Sequence, residues 1–125
     1  GEAQRVFIAR ALAQRAEIIL LDEPNAHLDL EHQVIIFNLL KILNEEEKIT
    51  VLTVSHDLNL VGIFSKKVAL MNEGIIVMEG EKSEILTKGN IRKIFKIDSA
   101  VFPSVDLKSI NVLINPNSIT NSTQN

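Results

Sequence analysis

Two apolar runs in this chain lead straight into side chains that can do chemistry. Ile18-Ile19-Leu20-Leu21 is followed by Asp22-Glu23, and Ile49-Thr50-Val51-Leu52-Thr53-Val54-Ser55 is followed by His56-Asp57. An aspartate placed after an apolar strand is the arrangement that holds Mg²⁺ beside nucleotide phosphates. Magnesium takes hard oxygen ligands and keeps most of its waters, so one carboxylate and the phosphates suffice. Glu23 would then orient or deprotonate an attacking water. His56 would hydrogen-bond a terminal phosphate as charge shifts in the transition state. The same residues also have plainer readings, because carboxylates after a strand commonly start a turn and a lone histidine at a strand end is commonly structural. His27 and His32 lack the strand-end position and read as structural or exposed. Glu45-Glu46-Glu47 reads as a solvated helix end.

The elements that must position these groups follow from the hydropathy pattern. From Ala3 to Arg15, Val6, Phe7, Ala9, Leu12 and Ala13 form an apolar face at helical spacing. The uninterrupted run from Ile18 to Leu21 predicts a strand buried on both faces, as in a parallel sheet. It stops at Pro24-Asn25, a turn signal. Asp29 is placed to cap a helix carrying Leu30, Ile36, Leu39, Leu40 and Leu43, and a β-branched strand from Ile49 follows. Strand, helix, strand is a βαβ unit with parallel strands. The rims at the carboxyl ends of such strands are where open α/β sheets bind ligands, and both candidate groups stand there. Beyond a short helical stretch to about Phe64, Val68–Met71 and Ile75–Met78 read as strands joined at Asn72-Glu73-Gly74. Glu81–Thr87 and Asn90–Ile97 read as short helices. An uncharged Asn/Ser/Thr-rich tail is expected to be disordered after about residue 116.

Composition removes several classes of function. The chain has 125 residues, with 13 basic and 16 acidic side chains, a formal net charge of −3. That balance argues against a binder that neutralises nucleic-acid phosphates. With no cysteine there is no disulfide framework, thiolate zinc site or cysteine nucleophile. No apolar run approaches the roughly 18 residues that span a bilayer. Helical patterning starts at the first residues with no turn or cap ahead of it, so the chain is expected to be a piece of a longer protein.

Three blocks, GEAQRVFIARALA, IILLDEPNAHLD and TVLTVSHDL, closely resemble, in order and spacing, the second half of an ATP-binding cassette (ABC) transporter ATPase. The resemblance runs from Gly1 to about Phe102. It implies an α/β fold of the P-loop NTPase type, a parallel sheet with flanking helices, here as a partial domain over residues 1–102 followed by a tail over 103–125. By this resemblance Gly1-Glu2 ends the signature motif, which caps the γ-phosphate of ATP on the opposite subunit with helix N-terminal amides. Ile18–Glu23 is similar to the Walker B strand, with Asp22 holding Mg²⁺ through water and Glu23 polarising the attacking water. Asn25-Ala26-His27-Leu28-Asp29 looks like the D-loop, which crosses the dimer interface, and His56 matches the switch histidine. The phrases HLDLEHQ, GIIVMEGEKSEILT and IRKIFKID are similar to the branch that energises import of iron-siderophore complexes, haem and cobalamin, and metal-ion importers of the zinc and manganese type share much of this pattern.

The implied cofactors are ATP and Mg²⁺. The implied partners are a second ATPase subunit, integral-membrane permease subunits and, indirectly, a solute-binding protein, at the cytoplasmic face of the cell membrane and without nucleic acid. The family's phosphate loop, G-x-x-x-x-G-K-[ST], does not occur in these 125 residues, so the chain by itself is expected to be catalytically silent. Two other readings compete: a soluble ABC-type ATPase of DNA repair or chromosome organisation, and a truncated non-enzymatic remnant.

Overall fold

The computed structural model describes residues 2–104 and 106–119. They fall into two compact units that meet between His56 and Asp57.

The first unit runs α1 (Glu2–Ala13), β1 (Ile18–Asp22), α2 (Leu30–Glu45) and β2 (Thr50–Val54). The two strands are parallel and in simple register, Ile18 opposite Thr50 through to Asp22 opposite Val54. Helix α2 makes the crossover, as the βαβ reading requires. It starts at Asp29, whose carboxylate accepts from the His32 amide, and buries Ile36, Phe37, Leu40 and Leu43 along one stripe. At its far end Lys48 adopts a left-handed conformation, and the Asn44 amide donates to the Ile49 carbonyl at 2.9 Å, turning the chain into β2.

Two expectations are corrected in this unit. The sheet is not buried on both faces. Ile19 lies in the core, whereas Ile18, Leu20, Leu52 and Val54 are exposed, Leu20 at 70% and Leu52 at 59%. Alternate residues of a strand point to opposite faces, and within the described residues only one face of this pair is covered. The apolar face expected on α1 is likewise displaced: Val6 and Phe7 are exposed, and Ile8, at 2%, is the buried residue.

The second unit continues with α3 (Leu58–Phe64), β3 (Lys67–Asn72), β4 (Ile75–Glu81), α4 (Lys82–Ile85), α5 (Lys88–Phe95), β5 (Ser99–Ser104), β6 (Ser109–Ile114) and a 3₁₀ turn at Pro116–Ile119. Strands β3 and β4 form the expected hairpin. Its turn residues Glu73 and Gly74 both have positive φ, 50° and 78°, which is the mirror-image turn that matches strand twist. Helix α5 begins at Lys88, earlier than expected, because the Thr87 side chain caps it by accepting from the Asn90 amide. Strands β5 and β6 form an antiparallel hairpin with Ile110 and Val112 buried. This hairpin, not anticipated from sequence, runs across the boundary expected at 102/103. The expectation of disorder past about 116 falls chiefly on residues 120–125, which lie outside the described residues.

Val68, Leu70, Ile85, Leu86, Ile94 and Ile110 form the core of the second unit, with Leu58 and Val61 packed against it. Polar side chains lock the C-terminal hairpin in place. The Asn59 amide donates to the Val112 carbonyl at 3.2 Å, and its oxygen accepts from the Val112 amide at 2.7 Å, as a neighbouring strand would. The Lys82 ammonium donates to the carbonyls of Gly62 and Lys108 at 3.0 and 2.9 Å. Residue 62 has to be glycine, since a Cβ there would overlap the Ile110 carbonyl oxygen. Among the described residues no helix is long and apolar enough to cross a membrane.

Candidate functional site

The site forms where β1 and β2 end side by side. Pairing Asp22 with Val54 brings both strands to one rim, so Glu23 and His56 emerge next to each other. The ladder extends one bond further, with the Glu23 amide donating to the Val54 carbonyl at 2.8 Å. Glu23 then adopts φ of 47°, a left-handed conformation that a side-chain-bearing residue keeps only when its surroundings enforce it. The chain turns through buried Pro24, with the Ala26 amide donating to the Glu23 carbonyl at 2.9 Å and the Leu28 amide to the Asn25 carbonyl at 3.3 Å. His27 is a second left-handed residue in this loop, at φ 62°.

This backbone path places Glu23 Oε1 3.1 Å from His56 Nε2, an ion-pair distance without the alignment of a hydrogen bond. The two side chains differ in exposure: Glu23 is 26% exposed and His56 is 94% exposed. One carboxylate oxygen of Glu23 is therefore withdrawn from solvent and left without a hydrogen-bond donor. Asn25 Oδ1 in the following loop is in the same condition. Asp22 lies exposed at the end of β1. The structure thus brings Glu23 and His56 together at the end of the strand that carries Asp22.

The other candidates stand elsewhere. Glu2 is exposed in the first turn of α1, and Gly1 lies outside the described residues. Asp29 Oδ1 accepts from the His32 amide at 2.9 Å and lies 2.6 Å from His32 Nδ1. The backbone bond from His32, reinforced by its side chain, holds the Asp29 carboxyl below its ordinary pKa of 3.8. Of the histidines read as structural or exposed, His32 has this structural partner and His27 is exposed.

A residue that sequence reasoning passed over is Gln33, in the first turns of α2. Its Nε2 donates to the carbonyls of Leu28 at 3.0 Å and Asn25 at 3.5 Å, gripping the loop after Glu23. An amide four residues beyond a helix cap was the only available signal.

No group of three or more His, Cys, Asp or Glu among the described residues could by itself hold a metal ion. A magnesium ion needs no such group, because it takes one or two carboxylates and completes its shell with water and substrate phosphates. Asp22 and Glu23, neighbours in the chain, carry the hard carboxylate oxygens that such an ion takes.

No protein-family model matches the chain. The iron(3+)-hydroxamate import ATP-binding protein FhuC of Bacillus subtilis (strain 168) is 44% identical over 101 residues, covering 81% of this chain and 38% of that protein. Among solved structures, a metal-chelate type ABC transporter in an inward-facing conformation superposes with a TM-score of 0.82 at 29% identity, over 94% of this chain and 48% of that one. A dimeric ATP-binding cassette in a post-hydrolysis state, bound to ADP and Pi, gives a TM-score of 0.56 at 42% identity, over 63% of this chain and 34% of the other. The chain therefore spans well under half the length of the curated relative. In sequence and in fold alike it belongs to the ATP-binding subunits of ABC transporters, of which it covers a part.

Proposed function

We propose that this chain supplies the Walker B, D-loop and switch-histidine region of the ATP-hydrolysing subunit of an ABC importer. That subunit couples hydrolysis to uptake of an iron-siderophore, haem or cobalamin-type solute. The observation that carries the reading is the convergence of Glu23 and His56, 3.1 Å apart, at the rim where β1 delivers Asp22. The iron-hydroxamate import relative supports the solute class, and the dimeric cassette supports a paired subunit.

The residues divide the chemistry by their geometry. Asp22 is the carboxylate that would hold Mg²⁺, and the ion when bound supplies charge neutralisation at the phosphate oxygens. Glu23, its carboxylate 3.1 Å from the exposed His56 ring, accepts a hydrogen bond from water and aligns it for in-line attack on the terminal phosphate. His56 presents Nε2 from an exposed ring and donates to a phosphate oxygen as negative charge builds there. In the same reading Gly1-Glu2 completes the motif that caps the partner subunit's nucleotide, and the loop from Asn25 to Asp29 faces the partner subunit. The subunit works at the cytoplasmic face of the membrane beneath permease subunits.

The test is Glu23→Gln in the intact ATP-binding subunit. It keeps the side chain's shape while removing the base, so ATP binding and ATP-dependent pairing of subunits should persist. Steady-state hydrolysis should fall by about 10²–10⁴-fold, the usual contribution of a positioned general base. Turnover at the parental rate would remove Glu23 from the role and the reading with it.

A further inference from the structure

Glu23 sits in a conformation that its own chemistry does not favour, so something in the fold must hold it there. Its backbone is secured on both sides. The amide donates to Val54 in β2, and the carbonyl accepts from Ala26 in the following loop. Ala26 lies inside the segment Asn25–Leu28, which belongs to no regular element, so the anchoring of that segment decides how firmly the Glu23 carbonyl is held. The anchor is Gln33. Its carboxamide nitrogen has two hydrogens and spends them on the carbonyls of Asn25 and Leu28, the two ends of the segment. Gln33 itself rides on α2, a helix fixed by Ile36, Phe37 and Leu40 in the core. Rigid helix, Gln33, loop, Glu23 carbonyl and Glu23 carboxylate thus form one chain of contacts, and it ends 3.1 Å from His56.

We propose that Gln33 is a positioning residue for nucleotide hydrolysis: by tying the Asn25–Leu28 loop to α2 it holds Glu23 in the left-handed conformation that aims its carboxylate at the reacting water. This rests on the assignment of Glu23 as the water-aligning carboxylate. Both amide hydrogens of Gln33 are spent on backbone carbonyls of the loop, so its loss should act on the rate of the chemical step more than on nucleotide affinity.

The experiment compares variants of the intact ATP-binding subunit under ATP saturation. Gln33→Leu removes the donors with little change in bulk. Gln33→Glu keeps the shape and turns donors into acceptors, and it serves as the second variant should Gln33→Leu fold poorly. Each should lower kcat about tenfold or more, as small misplacements of reacting groups do, with KM for ATP changed less than about twofold. Gln33→Lys, which restores N–H donors of similar reach, should recover much of the rate. Introduced into Glu23→Gln, Gln33→Leu should produce no further loss, because the group it positions is already gone. Parental kcat in Gln33→Leu and Gln33→Glu, or a lowered melting temperature with unchanged kcat in the folded fraction, overturns the positioning role while leaving the role of Glu23 intact. Parental turnover in Glu23→Gln alone overturns both.

Discussion

The two units of the molecule solve the problem of holding a sheet in opposite ways. In the second, antiparallel hairpins bring their own neighbours. Asn59 pairs with both polar groups of Val112, Lys82 caps two carbonyls, and six buried aliphatic residues close the core. In the first, among the described residues, a parallel pair is covered on one face and leaves Ile18, Leu20, Leu52 and Val54 in the open on the other. The candidate site stands on the less covered unit. Parallel strands end together on one rim, which makes them good at bringing Glu23 and His56 together. Strands apolar on both sides are built to be covered on both sides, whereas an antiparallel hairpin tolerates one wet face. The site is therefore held by hydrogen bonds at strand ends and in one loop, more than by burial around it.

The sharpest way to break this contrast is to ask whether the open face is truly a free surface in the working protein. Leu20 is exposed here, and replacing an exposed leucine costs within about 0.5 kcal/mol. In the intact ATP-binding subunit proposed above, the face should be covered. Leu20→Ala should then cost about 2–5 kcal/mol, as deletions inside a core do. Denaturant unfolding of the intact subunit measures it. A loss no larger than the surface value would show that the parallel pair works with one face bare, and the two units would then differ less than they seem to.

The second unit offers the complementary test. Gly62 lies against the backbone of β6, and a methyl group there meets the Ile110 carbonyl oxygen, which no rotamer change can move. Gly62→Ala should destabilise by about 1–3 kcal/mol, the usual cost of overpacking. The damage should be local, with hydrogen exchange rising in α3 and β6 while amides from Glu23 to Asp29 keep their parental rates. Equal rises in both regions would mean that the units do not respond separately.

What could be read from sequence follows the same division. Strands β1 and β2, the Asp29 cap and the Glu73-Gly74 turn rest on signals within a few residues, and each stands where local chemistry placed it. The approach of Glu23 to His56 was legible because a βαβ unit brings both strand ends to one rim whatever the details. The hairpin of β5 and β6 was not, because its stability comes from pairing with itself and from Asn59, 53 residues before Val112. The burial of Ile8 in place of Val6 and Phe7 was equally hidden, since a helix apolar on most sides does not say which side its neighbours occupy. The left-handed Glu23 and its anchor Gln33 also escaped, because a positive φ at glutamate is a consequence of contacts and not of residue type.

The smallest expected effect concerns the cap that starts α2, and it sharpens the idea that the first unit depends on hydrogen bonds at its element ends. The Asp29 carboxyl ionises more readily in the fold than in the unfolded chain, because the His32 amide and then the His32 ring stabilise its charge. A lowered folded pKa means that at acid pH the unfolded state binds more protons. The stabilisation is therefore complete above the ordinary value of 3.8 and is lost as pH falls through the lower folded value. Asp29→Asn keeps an acceptor suited to a helix cap but has no charge to lose. Urea unfolding of the intact subunit at pH 7 should find the variant slightly less stable than its parent. On acidification below 3.8 that gap should close, because the parent's cap becomes neutral as well. The side chain is exposed to solvent, so the gap will be modest even where it is largest. A gap of equal size at both pH values would show that the cap works through its shape and its hydrogen bond alone, with no contribution from the charge that His32 stabilises.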